Sequence, residues 1–386
     1  MTKSSKTPSL ATLAVHGGRD AHAVGEPVSF PLYQGVNFVQ QEGTASGMRY
    51  PRYGNNPNAE LVQSRLAQLE GAEAGLLLAS GQGATACALL ALLRAGDHLL
   101  SSSWIYGGTQ QLVMKELPAM GIETTLVDPT ESREWRKQLR RNTRAIFVES
   151  PVNPTCRVLD LKPITALAKE LGLALVVDST FATPVGFRPL EHGADVVIHS
   201  ATKFLNGHHD VIAGAVLGTA AYIEEVRQKM MVWGQAPDPF ACWLLERGLK
   251  TLDVRVQRAT DNAMRLALWC ATRPELSAVL YPGLPDHPDH AIALATLDGM
   301  GAMLAIVHRD GGDAMTAVCR RLKLITHAPS LGGTETLVSE PRFSSHEHLS
   351  ASERAAIGIP DGFLRISVGI EDPHDIIADL DRALRG

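Results

Sequence analysis

Four short apolar runs constrain this chain more than any other feature: GLLLAS from Gly75, AIFVES from Ala145, LALVVDS from Leu173 and ADVVIHS from Ala194. Each has strand length and little polar alternation, which suits strands buried on both faces of a parallel sheet. Between the second and third lies DLKPITALAKELG, in which Ile164, Leu167, Ala168 and Leu171 recur at helical spacing. Strand, helix and strand in that order make a βαβ unit, so the central part is α/β with helices on both sheet faces.

The flanks read differently. Residues 1–58 are rich in Gly, Pro, Asn and Gln, lack sustained periodicity and read as an arm unable to build a core alone. A helix is expected over NPNAELVQSRLAQLEG, with Asn58 as its cap after Pro57, an apolar face of Leu61, Val62, Leu66 and Leu69, and a stop at Gly71. Beyond about Lys250 a long helical stretch, VQRATDNAMRLALWCAT, leads through the loop YPGLPDHPDH to mixed strand and helix. The expected division is an arm at 1–58, an α/β domain at 59–252 and a smaller α+β domain at 253–386.

With 386 residues, the chain is long enough for such a division. Its 36 basic and 41 acidic residues leave a formal charge of −5, which gives no support to nucleic-acid binding through global charge. The apolar run CALLALLRAGDHLL is broken by Arg94 and Asp97, well short of the ~20 residues that cross a bilayer. The start MTKSSKTPSLATLAVHGG lacks the apolar block of a secretory signal. Five scattered cysteines with no CxxC pair indicate neither a disulfide framework nor a thiolate zinc site, and a cytoplasmic location is expected.

Ligands of open α/β sheets gather outside the carboxyl ends of the strands. Here those ends carry Ser80-Gly81-Gln82-Gly83, Pro151-Val152-Asn153-Pro154, Asp178-Ser179-Thr180 and Ser200-Ala201-Thr202-Lys203. A glycine turn opening a helix offers free N–H groups and a positive dipole end to a phosphate. GQGATA also fits the dinucleotide pattern G-x-G-x-x-G/A, but the acidic residue needed about 20 positions on is missing: that region reads SSSW. A nicotinamide-dependent oxidoreductase therefore rests on that weak match alone. Asp178, closing a buried strand, needs a cation or donors, unless it merely caps the next helix. Pyridoxal phosphate asks for all these pieces: a lysine for a Schiff base, a carboxylate for the pyridinium nitrogen and donors for the phosphate.

At SATKFLNGHHD the chain resembles the pyridoxal-phosphate enzymes of Cys/Met metabolism, which include cystathionine γ- and β-lyases, cystathionine γ-synthases, methionine γ-lyases and O-acylhomoserine sulfhydrylases. The resemblance runs end to end through TLAVHGG, PLYQ, YPRYGNNPN, YGGT, ESPVNPT, VVDSTFATP, RGLKT, YPGLPDHP, SLGGTETL and RISVGIED. It implies the fold type I, aminotransferase-like architecture, with a mostly parallel central sheet. It further implies that Lys203 forms the Schiff base and carries protons, and that Asp178 pairs with the pyridinium nitrogen. Gly81, Gln82, Ser200 and Thr202 would hold the phosphate, with Asn153 and Thr180 near the ring and Tyr106 stacked on it, assisting proton transfer. Tyr50 and Arg52 would reach a neighbouring subunit's site, which requires a dimer, usually paired into a tetramer. Arg365 and Ser330 would hold the substrate α-carboxylate, with Tyr50 and Asn153 as further substrate contacts.

The implied activity is elimination on a sulfur-containing or related γ-substituted amino acid, foremost cystathionine γ-lyase-type C–S cleavage. Alternatives are β-cleavage, γ-replacement or a non-standard substrate. A cofactor-retaining binding or regulatory protein on the same scaffold is the remaining class. Pro329 precedes Ser330 where many cystathionine γ-lyases carry Glu, and Gly108 stands where methionine γ-lyases carry Cys. His208-His209-Asp210, His287-Pro-Asp-His290 and His346-Glu-His348 lack the HExxH arrangement, so no metal is expected. Lys3, Lys6 and RKQLRR read as solvated faces.

Overall fold

The computed structural model describes residues 8–19, 23–44, 47–130, 132–347 and 349–386. Lys3, Lys6 and His348 lie outside them. Among the described residues the strands form two sheets. The larger contains β1 (Ala74–Leu78), β2 (His98–Ser102), β3 (Glu123–Val127), β4 (Thr143–Glu149), β5 (Ala174–Asp178), β6 (Val196–His199) and β7 (Gly214–Gly218). Its order is β1-β7-β6-β5-β4-β2-β3, with parallel pairing from β3 through to β6.

The missing polar alternation has a direct cause in packing. Ile146, Val148, Leu175 and Val177 pack against the helix Leu161–Leu171, while the other parity, including Phe147 and Val176, joins the core under the helix Gly81–Leu92. Both faces of the central strands are covered, so both parities must be apolar. In the helix Leu161–Leu171, Ile164, Leu167 and Ala168 are buried as the spacing predicts, but Leu171 is exposed at the last turn.

Two local expectations need correction. The helix Pro57–Glu70 is capped by Asn56, whose side chain accepts from the Asn58 N–H, with Pro57 in the first turn. Asn58 instead lies buried inside the helix, its Nδ2 donating to Pro31 C=O and its Oδ1 accepting from Tyr33 N–H. It therefore anchors the arm rather than starting the helix. Secondly, β1 does not pair with the other three strands read from sequence. β7 lies between β1 and β6, antiparallel to both, so β1 still runs in the same direction as β6 and ends on the same rim.

The smaller sheet contains β8 (Leu276–Leu280), β9 (Met303–His308), β10 (Thr326–His327), β11 (Leu337–Ser339) and β12 (Phe363–Ser367), in the order β10-β11-β12-β9-β8. Leu304, Ile306, Leu364 and Ile366 on one face share a core with Leu266 of the helix Leu252–Cys270 and Leu380 of the helix Pro373–Arg385. β11 and β12 carry Ser339 and Arg365 side by side in register, which brings this sheet to the cavity described below.

Candidate active site

The rim at the carboxyl ends of β1, β4, β5 and β6 opens onto a cavity of about 460 Å³. Lys203, Asp178, Gly81, Gln82, Thr180, Ser200, Thr202, Asn153, Tyr106, Ser330 and Arg365 all line it. Residues from both sheets thus meet in one place.

The glycine turn is built as a phosphate cradle. Ser80 caps the helix Gly81–Leu92: its Oγ accepts from Gly83 N–H at 2.9 Å and its carbonyl from Ala84 N–H at 2.9 Å. The amides of Gly81 and Gln82, first in the helix, are left for an external acceptor. A Cβ on Gly81 would lie 2.7 Å from Ser200 Cβ, so only glycine permits this approach. Thr202 lines the cavity too, but its hydroxyl donates to Ala213 C=O at 3.2 Å and accepts from Ala213 N–H at 3.0 Å, so it also ties down its own loop.

Asp178 closes β5 and does not cap a helix. Its Oδ1 accepts from Thr180 Oγ1 at 2.6 Å and from Thr180 N–H at 3.0 Å, while Thr180 Oγ1 accepts from Ser200 N–H at 2.8 Å. Burial raises this carboxyl above the usual carboxylate range, and the Thr180 bonds and nearby His199 partly offset that rise.

Lys203 has no ion-pair partner among the described residues; its Nζ donates to Ser330 Oγ at 2.9 Å. Burial, reinforced by the positive charge of Arg365, brings its ammonium down to about 8. Arg365 is itself buried, with no carboxylate partner among the described residues. Its Nη1 donates to Asn153 Oδ1 at 3.1 Å and its Nη2 to Ser330 C=O at 2.6 Å, and its Nε has no partner. An uncompensated guanidinium held by neutral groups is a receptor for an incoming carboxylate.

Tyr50 and Arg52 do not line this cavity. They lie on the exposed arm, with the Arg52 guanidinium 5.8 Å from the Tyr50 ring centroid. Glu149, at the end of β4, was not singled out from sequence. It lines the cavity and accepts from Tyr106 N–H at 2.7 Å and Asn153 N–H at 2.9 Å. The signal was present, since a carboxylate ending an apolar strand must find donors.

Three of the motif histidines are tied locally, while His209 lies 3.7 Å from the Glu335 carboxylate. Nδ1 of His208 meets Asn206 C=O, Nδ1 of His287 accepts from Asp289 N–H, and Nδ1 of His290 meets Pro282 C=O. Cys319, His327 and Glu340 converge elsewhere, but Glu340 already accepts from Thr316 Oγ1 at 2.6 Å and pairs with the Arg342 guanidinium at 3.3 Å.

An unpaired lysine, an acidic strand end and a helix start with free amides, gathered at one cavity, fit pyridoxal phosphate. The fold and site together define an α/β enzyme built for that cofactor. The family description "Cys/Met metabolism PLP-dependent enzyme" matches residues 11–385. The chain is 39% identical over 387 residues to an L-methionine γ-lyase of Porphyromonas gingivalis, covering 97% of this chain and 96% of the relative. It is 38% identical over 377 residues to a cystathionine γ-lyase of Bacillus subtilis, covering 97% and 98%. The crystal structure of metB from Corynebacterium glutamicum superposes with a TM-score of 0.93 at 36% identity, covering 98% of both chains.

This chain belongs to the family of pyridoxal-phosphate-dependent enzymes of Cys/Met metabolism. It is a carbon–sulfur lyase of the trans-sulfuration type that uses pyridoxal phosphate and acts on an amino acid. Among the described residues no helix is long and apolar enough to cross a membrane.

Proposed function

We propose that the enzyme catalyses γ-elimination of the cystathionine γ-lyase type on sulfur amino acids whose group beyond sulfur is uncharged. The Cγ–S bond breaks, one water is consumed, and a thiol, ammonia and a 2-oxo acid leave. One observation carries the choice of substrate. Among the described residues the only carboxylates lining the cavity are Glu149 and Asp178, and both already hold donors of this chain. The remaining wall offers Ile212, Pro329, Ser339, Ser344 and Ser345, none of which neutralises a distal ammonium group.

Bound pyridoxal phosphate supplies an electron sink for charge released at Cα. Lys203 would hold its aldehyde, Asp178 its ring nitrogen, and Gly81, Gln82, Ser200 and Thr202 its phosphate, with Asn153, Thr180 and Tyr106 around the ring. Arg365 grips the substrate α-carboxylate through a planar fork, and Ser330 closes the same side. Lys203, whose ammonium falls to about 8 in this setting, would take the proton from Cα, hand it on, and then, neutral again, take one from Cβ. Tyr106, which lines the cavity and is partly exposed, would protonate the departing sulfur.

We read residues 1–58 as an arm that brings Tyr50 and Arg52 to a second subunit's cavity, 59–252 as the cofactor domain and 253–386 as the smaller domain. Val24, Val28, Val36 and Val39 are exposed along that arm, which supports its burial against another copy in a dimer or tetramer. A cytoplasmic location accords with five free cysteines, all buried.

The test compares kcat/KM for methionine, homocysteine and cystathionine on the holoenzyme, with the oxo acid identified by mass. Methionine or homocysteine should lead and yield 2-oxobutanoate. Cystathionine leading by tenfold, or pyruvate as the main product, would overturn the reading.

A further inference from the structure

Glu149 lies where its two carboxylate oxygens serve two different cavity segments. Oε2 accepts from Tyr106 N–H at 2.7 Å and Oε1 from Asn153 N–H at 2.9 Å. Tyr106 opens the helical turn Gly107–Gln111 that follows β2, and Asn153 belongs to the loop after β4. Among the described residues no direct hydrogen bond joins the two segments, so nothing else of that kind sets the tyrosine relative to the amide. Asn153 in turn accepts from Arg365 at 3.1 Å through Oδ1. One carboxylate therefore links the residue at the cavity mouth to the residue that steadies the carboxylate-binding arginine.

Its location is costly. Glu149 is buried and faces Asp178 in register on the neighbouring strand. Burial first, and then the charge of Asp178, push the Glu149 carboxyl upward, while the two amides pull it back. A glutamate kept in such a place for packing alone would be better replaced by an apolar residue. The two amides on separate segments give a reason for keeping it.

We propose that Glu149 is a positioning residue, which sets Tyr106 and Asn153 at a fixed spacing across the cavity and acts on turnover through Tyr106. This rests on the γ-elimination reading above, in which Tyr106 assists departure of the sulfur group. Glutamine at this position keeps the shape but has one carbonyl oxygen, so one amide must face an NH₂ donor. Aspartate keeps the carboxyl group but is one methylene too short to meet both amides at these distances.

The experiment measures kcat, KM, cofactor retention and Tm for holoenzyme carrying Glu149→Gln, Glu149→Asp, Tyr106→Phe and the Glu149→Gln/Tyr106→Phe pair. Glu149→Gln should lower kcat about ten- to hundredfold, the scale of one buried donor left without its acceptor. KM and cofactor retention should stay within threefold. In the pair, most of the glutamine effect should vanish, because the group it positions has lost its hydroxyl.

Wild-type kcat in Glu149→Gln, or losses that multiply independently in the pair, would overturn the proposal. So would a kcat loss matched by an equal loss of cofactor, which marks a merely structural role. If Glu149→Gln does not fold, the same cycle run with Glu149→Asp decides. Failure of the functional reading is distinguishable, since it is read on the wild-type enzyme alone, as pyruvate for the main product or as cystathionine leading by tenfold.

Discussion

Lys203 Nζ lies 2.9 Å from Ser330 Oγ, a contact between the central sheet's rim and the loop before β11. Ser330 has φ +83°, a left-handed backbone that few non-glycine residues adopt, and its carbonyl accepts from Arg365 at 2.6 Å. The serine thus faces the lysine with its hydroxyl and the arginine with its backbone. Ser330→Ala should leave the carbonyl bond intact and remove only the hydroxyl. We expect kcat to fall about three- to tenfold, the scale of one hydrogen bond, with KM for substrate changed less than twofold. Steady-state kinetics with methionine checks this.

Lys203 also makes the cofactor-free protein's stability depend on pH. Its ordinary value is 10.5, and burial lowers it to about 8 in the folded chain. Between those two values the unfolded chain binds more protons than the folded one, so stability rises as pH increases from 8 towards 10. Below pH 8 the cost of burying the ammonium is fully present. Lys203→Met removes it, so the cofactor-free variant should melt higher than wild type at pH 7, by roughly 1–2 °C for each kcal/mol recovered in a chain of this length. The difference should shrink by pH 10. Thermal scans of both apoproteins at the two pH values measure it, and a constant difference would remove Lys203 as the cause.

The sheet and the cavity floor were legible in the sequence because each rests on a local signal. Continuous apolar runs marked β4, β5 and β6, and the residues at or just beyond their ends, Asn153, Asp178 and Lys203, do converge. β7 was not legible: Gly214–Gly218 is short and glycine-flanked, and its antiparallel insertion beside β1 is a long-range choice. Glu149 was hidden for a related reason. Its partners, the Tyr106 and Asn153 amides, are backbone groups whose positions only the folded chain defines. Asn58 was misread as a cap because two asparagines flank Pro57, and only the contacts to Pro31 and Tyr33 separate their roles.

Gly81 should tolerate no side chain. An added methyl group would sit 2.7 Å from Ser200 Cβ and 2.8 Å from Ser200 Oγ. Relief requires the helix start or Ser200 to move, and both contribute to the proposed phosphate cradle. Overpacking of this kind costs about 1–3 kcal/mol. We expect Gly81→Ala to weaken pyridoxal-phosphate binding roughly ten- to hundredfold, which apoenzyme titration followed by absorbance would show. Gly83, two residues on, is a useful comparison, since a methyl group there meets mainly the flexible end of Gln235.

Gly108 connects the tyrosine to substrate preference. A Cβ at this position would approach Tyr106 Cε1 to 2.7 Å and Gln82 Oε1 to 3.1 Å. The Gln82 side chain already donates to Gly108 C=O at 3.1 Å, so helix start and tyrosine turn are packed together. Gly108→Cys must therefore displace the Tyr106 ring, and at fixed folding we expect kcat to drop about tenfold. A variant with unchanged kcat would mean that the ring is already free to move during turnover. A spectrum of bound cofactor altered only in the variant would locate the change at the ring.

Arg52 tests whether the cavity is shared. In a single chain its guanidinium lies over Tyr50 and Tyr53, each centroid 5.8 Å away, and outside the cavity. The ring contacts hold the side chain but leave its N–H groups available for a phosphate on another subunit. Arg52→Ala should then loosen the cofactor in every site of a homo-oligomer, while Lys203→Ala abolishes turnover in every site. Mixed together, a dimer holding one of each has one cavity with both defects and one with neither. Hybrid dimers form half of a random mixture, and each recovers one of its two sites, so about one quarter of wild-type activity should return. Recovery after confirmed subunit exchange requires Arg52 and Lys203 to act from different chains. A mixture as inactive as its parents would place both residues in the same subunit's site and leave the exposed arm without this role.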